Sequence, residues 1–205
     1  VVGAIGRVVG GIRNRGKVYV YDIGRNGGGD DVMQMFGTSK FYADRISVSG
    51  SIIAVTDTLY RDRYSDSQGA VFLLSEDGIN QLNRPYIEMS EEYDSRITGV
   101  AASIDGDNLV TVEAFIIIED ELDSESREIL QIHKIACYKK RTTFDGEERF
   151  GFVGTIEPEL PNDFLIHGVE VSLEGDSLLV TSLKEGSNVV CEIPYEESIT
   201  PVIPV

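Results

Sequence analysis

A glycine-centred turn between two short apolar strands occurs three times in this chain of 205 residues. Ser47 to Val55 reads SVSGSIIAV, Ala102 to Val110 reads ASIDGDNLV, and Val171 to Val180 reads VSLEGDSLLV. In each, the glycine (Gly50, Gly106 or Gly175) follows Ser, Asp or Glu and precedes a polar residue. A two-residue turn between paired strands needs positive φ, which glycine adopts without a Cβ penalty. Each stretch therefore predicts an antiparallel hairpin, and steps of 56 and 69 residues separate the three glycines.

A second landmark follows every hairpin. Gly16-Lys-Val-Tyr-Val-Tyr21 matches Gly69-Ala-Val-Phe-Leu-Leu74, one step of 53 residues later. Glu128 to His133 and Ser187 to Cys191 take the same place further on. Weaker fourth strands are expected at Val32–Phe36, Tyr86–Met89 and Phe150–Ile156. The runs are short and rich in Val, Ile, Tyr and Phe, with Gly, Asp and Asn between them. Only the acidic stretch Glu119 to Glu128 is compatible with a short helix. Ordered four-strand units of about 50 residues are a signature of propeller blades. The expected fold is thus all-β, a β-propeller of four-stranded antiparallel blades within one region, 1–205. The units run roughly 1–37, 38–90, 91–160 and 161–205. The first unit lacks its innermost strand, since Val1 to Ala4 correspond to Ala54 to Asp57, and the last thins out after Ile193. About three and a half blades result, where a closed propeller typically has about four to eight. The expectation is part of a larger propeller, the alternative being a half completed by another chain. The opening VVGAIGRVV, without Met or a signal pattern, reads as a processed product or an excerpt of a longer chain.

Charge limits the partners. A formal net charge of −17 repels phosphate backbones, so no nucleic-acid partner is expected. It suits cationic partners, divalent ions or plain solubility. An apolar fraction of 41% and a charged fraction of 26% fit a folded globular chain. No apolar run approaches the roughly 18 residues that span a bilayer. Cys137 and Cys191 lie in apolar runs, which predicts buried thiols, with one long-range disulfide as the alternative.

The landmarks together resemble the FG-GAP type of propeller repeat found in integrin α-chain heads and secreted repeat proteins. Phe41 to Gly50 stands for its opening, Val1 to Ile5 for its Gly-Ala-Pro end, and Gly16–Tyr21 and Gly69–Leu74 for its next strand. The match covers about the first 75 residues closely and the remainder by pattern. The resemblance implies a secreted or cell-surface binding module. Some members of that family carry calcium loops between the first two strands of a blade. The corresponding turns here, Ser49-Gly50-Ser51, Asp105-Gly106-Asp107 and Glu174-Gly175-Asp176, are too short to wrap an ion taking six to eight oxygens.

Candidate sites follow from the loops. An acidic rim is expected from Asp57, Asp62 and Asp66, from Glu91, Glu92 and Asp94, from Glu119 to Glu125, and from Glu157, Glu159 and Asp163. The loop Arg7 to Arg15 is basic instead. Asp57, Asp62 and Asp66 are the candidate metal ligands, calcium the candidate ion, although the spacing lacks the glycine and terminal Glu of an EF-hand. Otherwise no cofactor is expected. His133 and His167 have no partner at ligand spacing. Gly24 to Gly29 (GRNGGG) reads as a hairpin loop rather than a phosphate cradle. No GxSxG nucleophile motif occurs. The expected function is a non-catalytic binding or structural module, engaging a protein or glycan through its loop rim. The alternatives are a propeller hydrolase with paired acids in the central channel and a scaffold subunit of a large assembly.

Overall fold

The computed structural model describes residues 2–9, 12–23, 29–36, 42–61, 68–75, 78–83, 95–119, 128–158, 169–184 and 187–201. The fold is all-β, as the strand periodicity predicts, and the strands fall into four consecutive antiparallel meanders. The first comprises β1 (Val2–Val9), β2 (Ile12–Ile23) and β3 (Gly29–Phe36). The second comprises β4 (Tyr42–Ser49), β5 (Ile52–Arg61), β6 (Gln68–Ser75) and β7 (Gly78–Gln81). The third comprises β8 (Ser95–Asp105), β9 (Asn108–Glu119), β10 (Glu128–Thr142) and β11 (Glu148–Ile156). The fourth comprises β12 (Val169–Glu174), β13 (Ser177–Lys184) and β14 (Ser187–Pro194). A one-turn helix α1 (Tyr195–Ser198) and β15 (Thr200–Pro201) end it, and β15 returns to pair with β11 of the third meander.

The first and fourth meanders are separate open sheets, ordered β1-β2-β3 and β12-β13-β14. The second and third merge into one nine-stranded sheet through a single parallel pair, Gln68 opposite Ile97. Glycine makes that seam. Gly69 has φ +82°, and a Cβ there would lie 2.0 Å from the Thr98 carbonyl oxygen. Only a residue without a side chain lets the two backbones approach so closely.

All three predicted hairpins form in register, closed by Ser49–Ile52, Asp105–Asn108 and Glu174–Ser177. Their turn glycines hold φ between +55° and +57°. The third-strand landmarks lie in β2, β6, β10 and β14 as expected.

Several details differ from the sequence expectation. The fourth strand of the second meander is β7, directly after β6, whereas Tyr86–Met89 lies outside the described residues. The basic stretch Arg7 to Arg15 is mostly strand, with Arg7 opposite Arg15 on β1 and β2. Glu119 and Glu128 face each other as ladder partners, so the ends of that acidic stretch are strand. The one described helix forms instead at Tyr195, where Asp176 of the third hairpin receives two hydrogen bonds. The Tyr195 N–H donates to its carbonyl at 2.8 Å and the Glu196 N–H to its carboxylate at 3.0 Å.

Successive meanders are joined by the same contacts. The Ile104 N–H donates to Ser47 Oγ at 3.0 Å and the Gly106 N–H to Ser49 Oγ at 2.9 Å. One meander later, the Leu173 N–H donates to Ser103 Oγ at 3.0 Å and the Gly175 N–H to Asp105 Oδ2 at 2.7 Å. The register explains this. The residue two before the glycine is a non-hydrogen-bonded ladder position, so its N–H points away from its own hairpin. Behind these bonds lie apolar joints. Ala54 and Val71 pack with Ile104, Leu109, Ala136 and Tyr138, and Val110, Ile135 and Cys137 with Leu173, Leu178 and Val180. The first joint buries Val18 against Ile53, Val55 and Leu74.

Candidate functional site

Two concave regions arise from this stacking. One lies where the outer part of the second meander meets the β10–β11 hairpin of the third, and encloses about 330 Å³. Its apolar floor comes from Ile52, Leu73, Leu82 and Phe150, and amides of Asn80, Gln81 and Asn83 stand along one side. The opposite side carries Lys140, Glu147, Glu148 and Arg149. Strand alternation sets this arrangement. Leu73 and Asn80 are ladder partners on β6 and β7, as are Lys140 and Phe150 on β10 and β11.

The charged side is organised by ion pairs along the hairpin. Lys140 Nζ binds the Glu148 carboxylate, and that contact raises the ammonium pKa above its ordinary value. Arg149 Nε donates to Glu147 Oε2 at 3.0 Å. The turn between them is closed by the Thr143 N–H to the Glu147 carbonyl at 2.7 Å and the Gly146 N–H to the Thr143 carbonyl at 2.9 Å. The Thr143 hydroxyl donates to Asp145, which holds that carboxyl below its usual range. Phe144 at the tip is fully exposed, and Ile79 on β7 is exposed beside Asn80. Ile79 is the ladder partner of Leu74 and stands on the face of β7 opposite Asn80, away from the cleft. A groove with an apolar floor and fixed polar groups suits recognition of an extended ligand.

The second region lies between the first strands of three meanders, β4, β8 and β12, and encloses about 290 Å³. Equivalent positions line it: Arg45, Ala101 and Glu170, and then Ser47, Ser103 and Ser172. Arg45 Nη2 approaches Glu170 Oε1 at 3.5 Å, bridging the first and third of these strands past the second. Glu170 is the one carboxylate among its described lining residues.

A buried polar cluster sits inside the third meander. Arg96 Nε and Nη2 donate to Glu113 Oε2 at 3.1 and 2.8 Å, and the Thr111 hydroxyl donates to Glu113 Oε1 at 2.9 Å. The Arg96 guanidinium also lies 5.7 Å from the centre of the Phe115 ring. Burial, reinforced by the nearby Glu113 charge, pushes the Tyr138 phenol well up. Both oxygens of Glu113 are engaged and the residue is fully buried, so this cluster reads as structural.

The sequence-predicted sites fare unevenly. Asp57 is not a rim residue: it lies within β5, opposite Tyr42 and Ala70, and is fully buried. Asp62 and Asp66 lie outside the described residues, as do Glu91, Glu92, Asp94, Asp120 to Glu125, Glu159, Asp163 and His167. Among the described residues no group of three or more His, Cys, Asp or Glu side chains is placed to hold a metal ion. Glu157 is exposed and pairs with Lys134 at 2.8 Å. His133 lies within β10, opposite Ala114. The glycine-rich stretch joins β2 to β3, with Ile23 opposite Gly29, and residues 24–28 lie outside the described ones. Cys137 is buried, Cys191 is partly exposed, and the two are not joined.

Sequence reasoning missed the cleft, Arg45 and the Arg96–Glu113 pair. One signal was present for the last: Glu113 is a lone acid in the apolar run NLVTVEAFIII. Among the described residues no helix is long and apolar enough to cross a membrane. No family model matches this chain, and no curated protein matches it.

Proposed function

We propose that the chain is a propeller-type, non-catalytic binding module of the FG-GAP-like kind, which engages a protein segment in the cleft between its second and third meanders. The repeated joint between meanders supports the propeller reading, since one geometry of stacking carried through successive blades is how that architecture grows. The observation that carries the binding reading is the cleft itself. It sets the apolar floor of Ile52, Leu73, Leu82 and Phe150 between paired charges and side-chain amides, and the hairpin that carries its charged side ends in the exposed Phe144. An exposed aromatic on a hairpin that walls a preformed groove suits an anchor of a protein interface.

The hydrolase alternative has less support. Cleavage of a glycosidic bond between two acids uses a pair about 5 to 10 Å apart. The cavity between the first strands offers Glu170 alone, with Arg45 beside it.

The test is selection of displayed random peptides on the folded chain, followed by mapping of bound peptides through amide chemical shifts. Selected peptides are expected to perturb Leu73, Asn80, Phe144 and Phe150, and to lose at least tenfold in affinity with Phe144→Ala, a change worth ~1.4 kcal/mol. Hits that map elsewhere overturn the site. Binding of arrayed glycans at these residues would replace the protein partner by a carbohydrate, and turnover of a glycan panel would establish the hydrolase.

A further inference from the structure

The cavity between the first strands has a cause in the sequence. Arg45, Ala101 and Glu170 each stand five residues before a turn glycine, and all three line it. The middle position ends at a Cβ, and the next residue of β8 is Ala102. A charged side chain on β8 would fill the space. Alanine leaves about 290 Å³, small for a ligand cavity, with a cation and a carboxylate in its wall.

Arg45 Nη2 and Glu170 Oε1 are 3.5 Å apart, and their side chains are 29% and 59% exposed. A charge-assisted hydrogen bond is shorter, at about 2.7–2.9 Å, and an exposed pair of this kind adds little stability. Arg96 and Glu113 are the contrast, meeting at 2.8 Å with side chains 8% and 0% exposed. One pair is locked, and the other opens at small cost. The backbones that carry it are fixed all the same. The Arg45 N–H donates to Thr56 Oγ1 at 3.0 Å, and Glu170 lies opposite Thr181 on β13. The same wall adds hydroxyls. Ser47 and Ser103 accept the N–H groups of Ile104 and Leu173, which leaves each its own proton to donate.

Charge then selects the ligand. An anion held by Arg45 would lie against Glu170, in a chain of net charge −17. A cation held by Glu170 would lie against the guanidinium. A small molecule carrying both charges close together satisfies both side chains and is neutral toward the field of the whole molecule. We propose that this cavity binds a free α-amino acid, its carboxylate on the Arg45 guanidinium and its ammonium on the Glu170 carboxylate. The hydroxyls of Ser47 and Ser103 supply further donors for the ligand carboxylate. The site shares no lining residue with the cleft and is independent of what the cleft binds.

The test titrates each proteinogenic amino acid into the full chain and reads amide chemical shifts. At least one is expected to bind in the millimolar range or tighter, shifting Ser47, Ala101, Ala102 and Ser172 but not Leu73 or Phe150. Its N-acetyl and carboxamide derivatives, each lacking one charge, are expected to bind at least tenfold more weakly. Arg45→Gln and Glu170→Gln change partly exposed side chains, and each is expected to weaken the free amino acid at least tenfold. Glu170→Gln is expected to leave the affinity of the N-acetyl derivative unchanged, because the group that Glu170 holds is already gone. A variant that merely disturbed the fold would weaken both. Absence of these shifts for every amino acid at millimolar concentration overturns the proposal. Equal binding of the blocked derivatives overturns it too, as does tighter binding of acetate, an alkylammonium ion or a neutral sugar at the same residues. Peptide binding in the cleft is read at different amides, so the two readings fail separately.

Discussion

Gly69 and Gly50 both hold positive φ, yet their surroundings differ. Nothing lies within 4 Å of a Cβ built at Gly50, whereas one at Gly69 would meet the Thr98 carbonyl oxygen at 2.0 Å. Gly50→Ala then carries only the left-handed conformational penalty of ~1–2 kcal/mol. Gly69→Ala carries that penalty and also forces the seam between the second and third meanders apart, so a loss of more than about 3 kcal/mol is expected. Urea denaturation of both variants checks the order, and equal losses would mean that the seam is not a tight backbone contact. The sequence marked Gly69 as the start of a third strand but held no sign of Thr98, because the two are neighbours only across the seam. Asp57 is the converse case. Its place between Thr56 and Thr58 near a loop suggests a solvent-exposed acid, and the structure buries it within β5.

The hairpin is the element on which the chain is built, and its polar acceptors are the part most open to measurement. Ser103→Ala removes the acceptor of the buried Leu173 N–H, and an unsatisfied buried donor costs ~1–3 kcal/mol. Ser172→Ala changes the equivalent position of the last hairpin, where no described group donates to the hydroxyl. Its effect is expected within about 0.5 kcal/mol of zero. Midpoints of urea unfolding for the pair decide the matter, and a comparable loss at Ser172 would show that its face is already covered. At this scale the sequence was most informative. The three turns, the third strands and Phe150–Ile156 were all legible, since glycine turns and alternating apolar residues act over a few positions. β7 was not, because Gly78-Ile-Asn-Gln81 has a single apolar residue and is held as a strand by pairing with β6. The one-turn helix escaped notice for a similar reason: its N–H groups are satisfied by Asp176, about twenty residues upstream.

The whole molecule responds to pH through groups buried where meanders meet. Burial pushes the Cys137 thiol up to about 12 from an ordinary 9.0, and burial, with the neighbouring Cys137 next, pushes the Tyr195 phenol up as well. Both groups hold their protons more tightly in the folded chain than in the unfolded one. Their contribution is thus complete below about pH 9 and is lost as pH rises toward the folded values. Denaturation midpoints are expected to stay level from about pH 7 to 8.5 and fall steadily above about pH 9. Cys137→Ala is expected to make the early part of that fall shallower. An unchanged slope would mean that the thiol ionises as readily folded as unfolded. At this largest scale the sequence by itself determined the all-β class, the hairpins and the order of the meanders, because strand alternation and turn glycines are local. Only the tertiary structure decided which acids are buried, how Arg96 reaches Glu113, and where the cleft opens beside Phe150. Those depend on how units some 50 to 70 residues apart come to lie against each other, and side-chain burial at such joints is set by the packed neighbours rather than by adjacent residues.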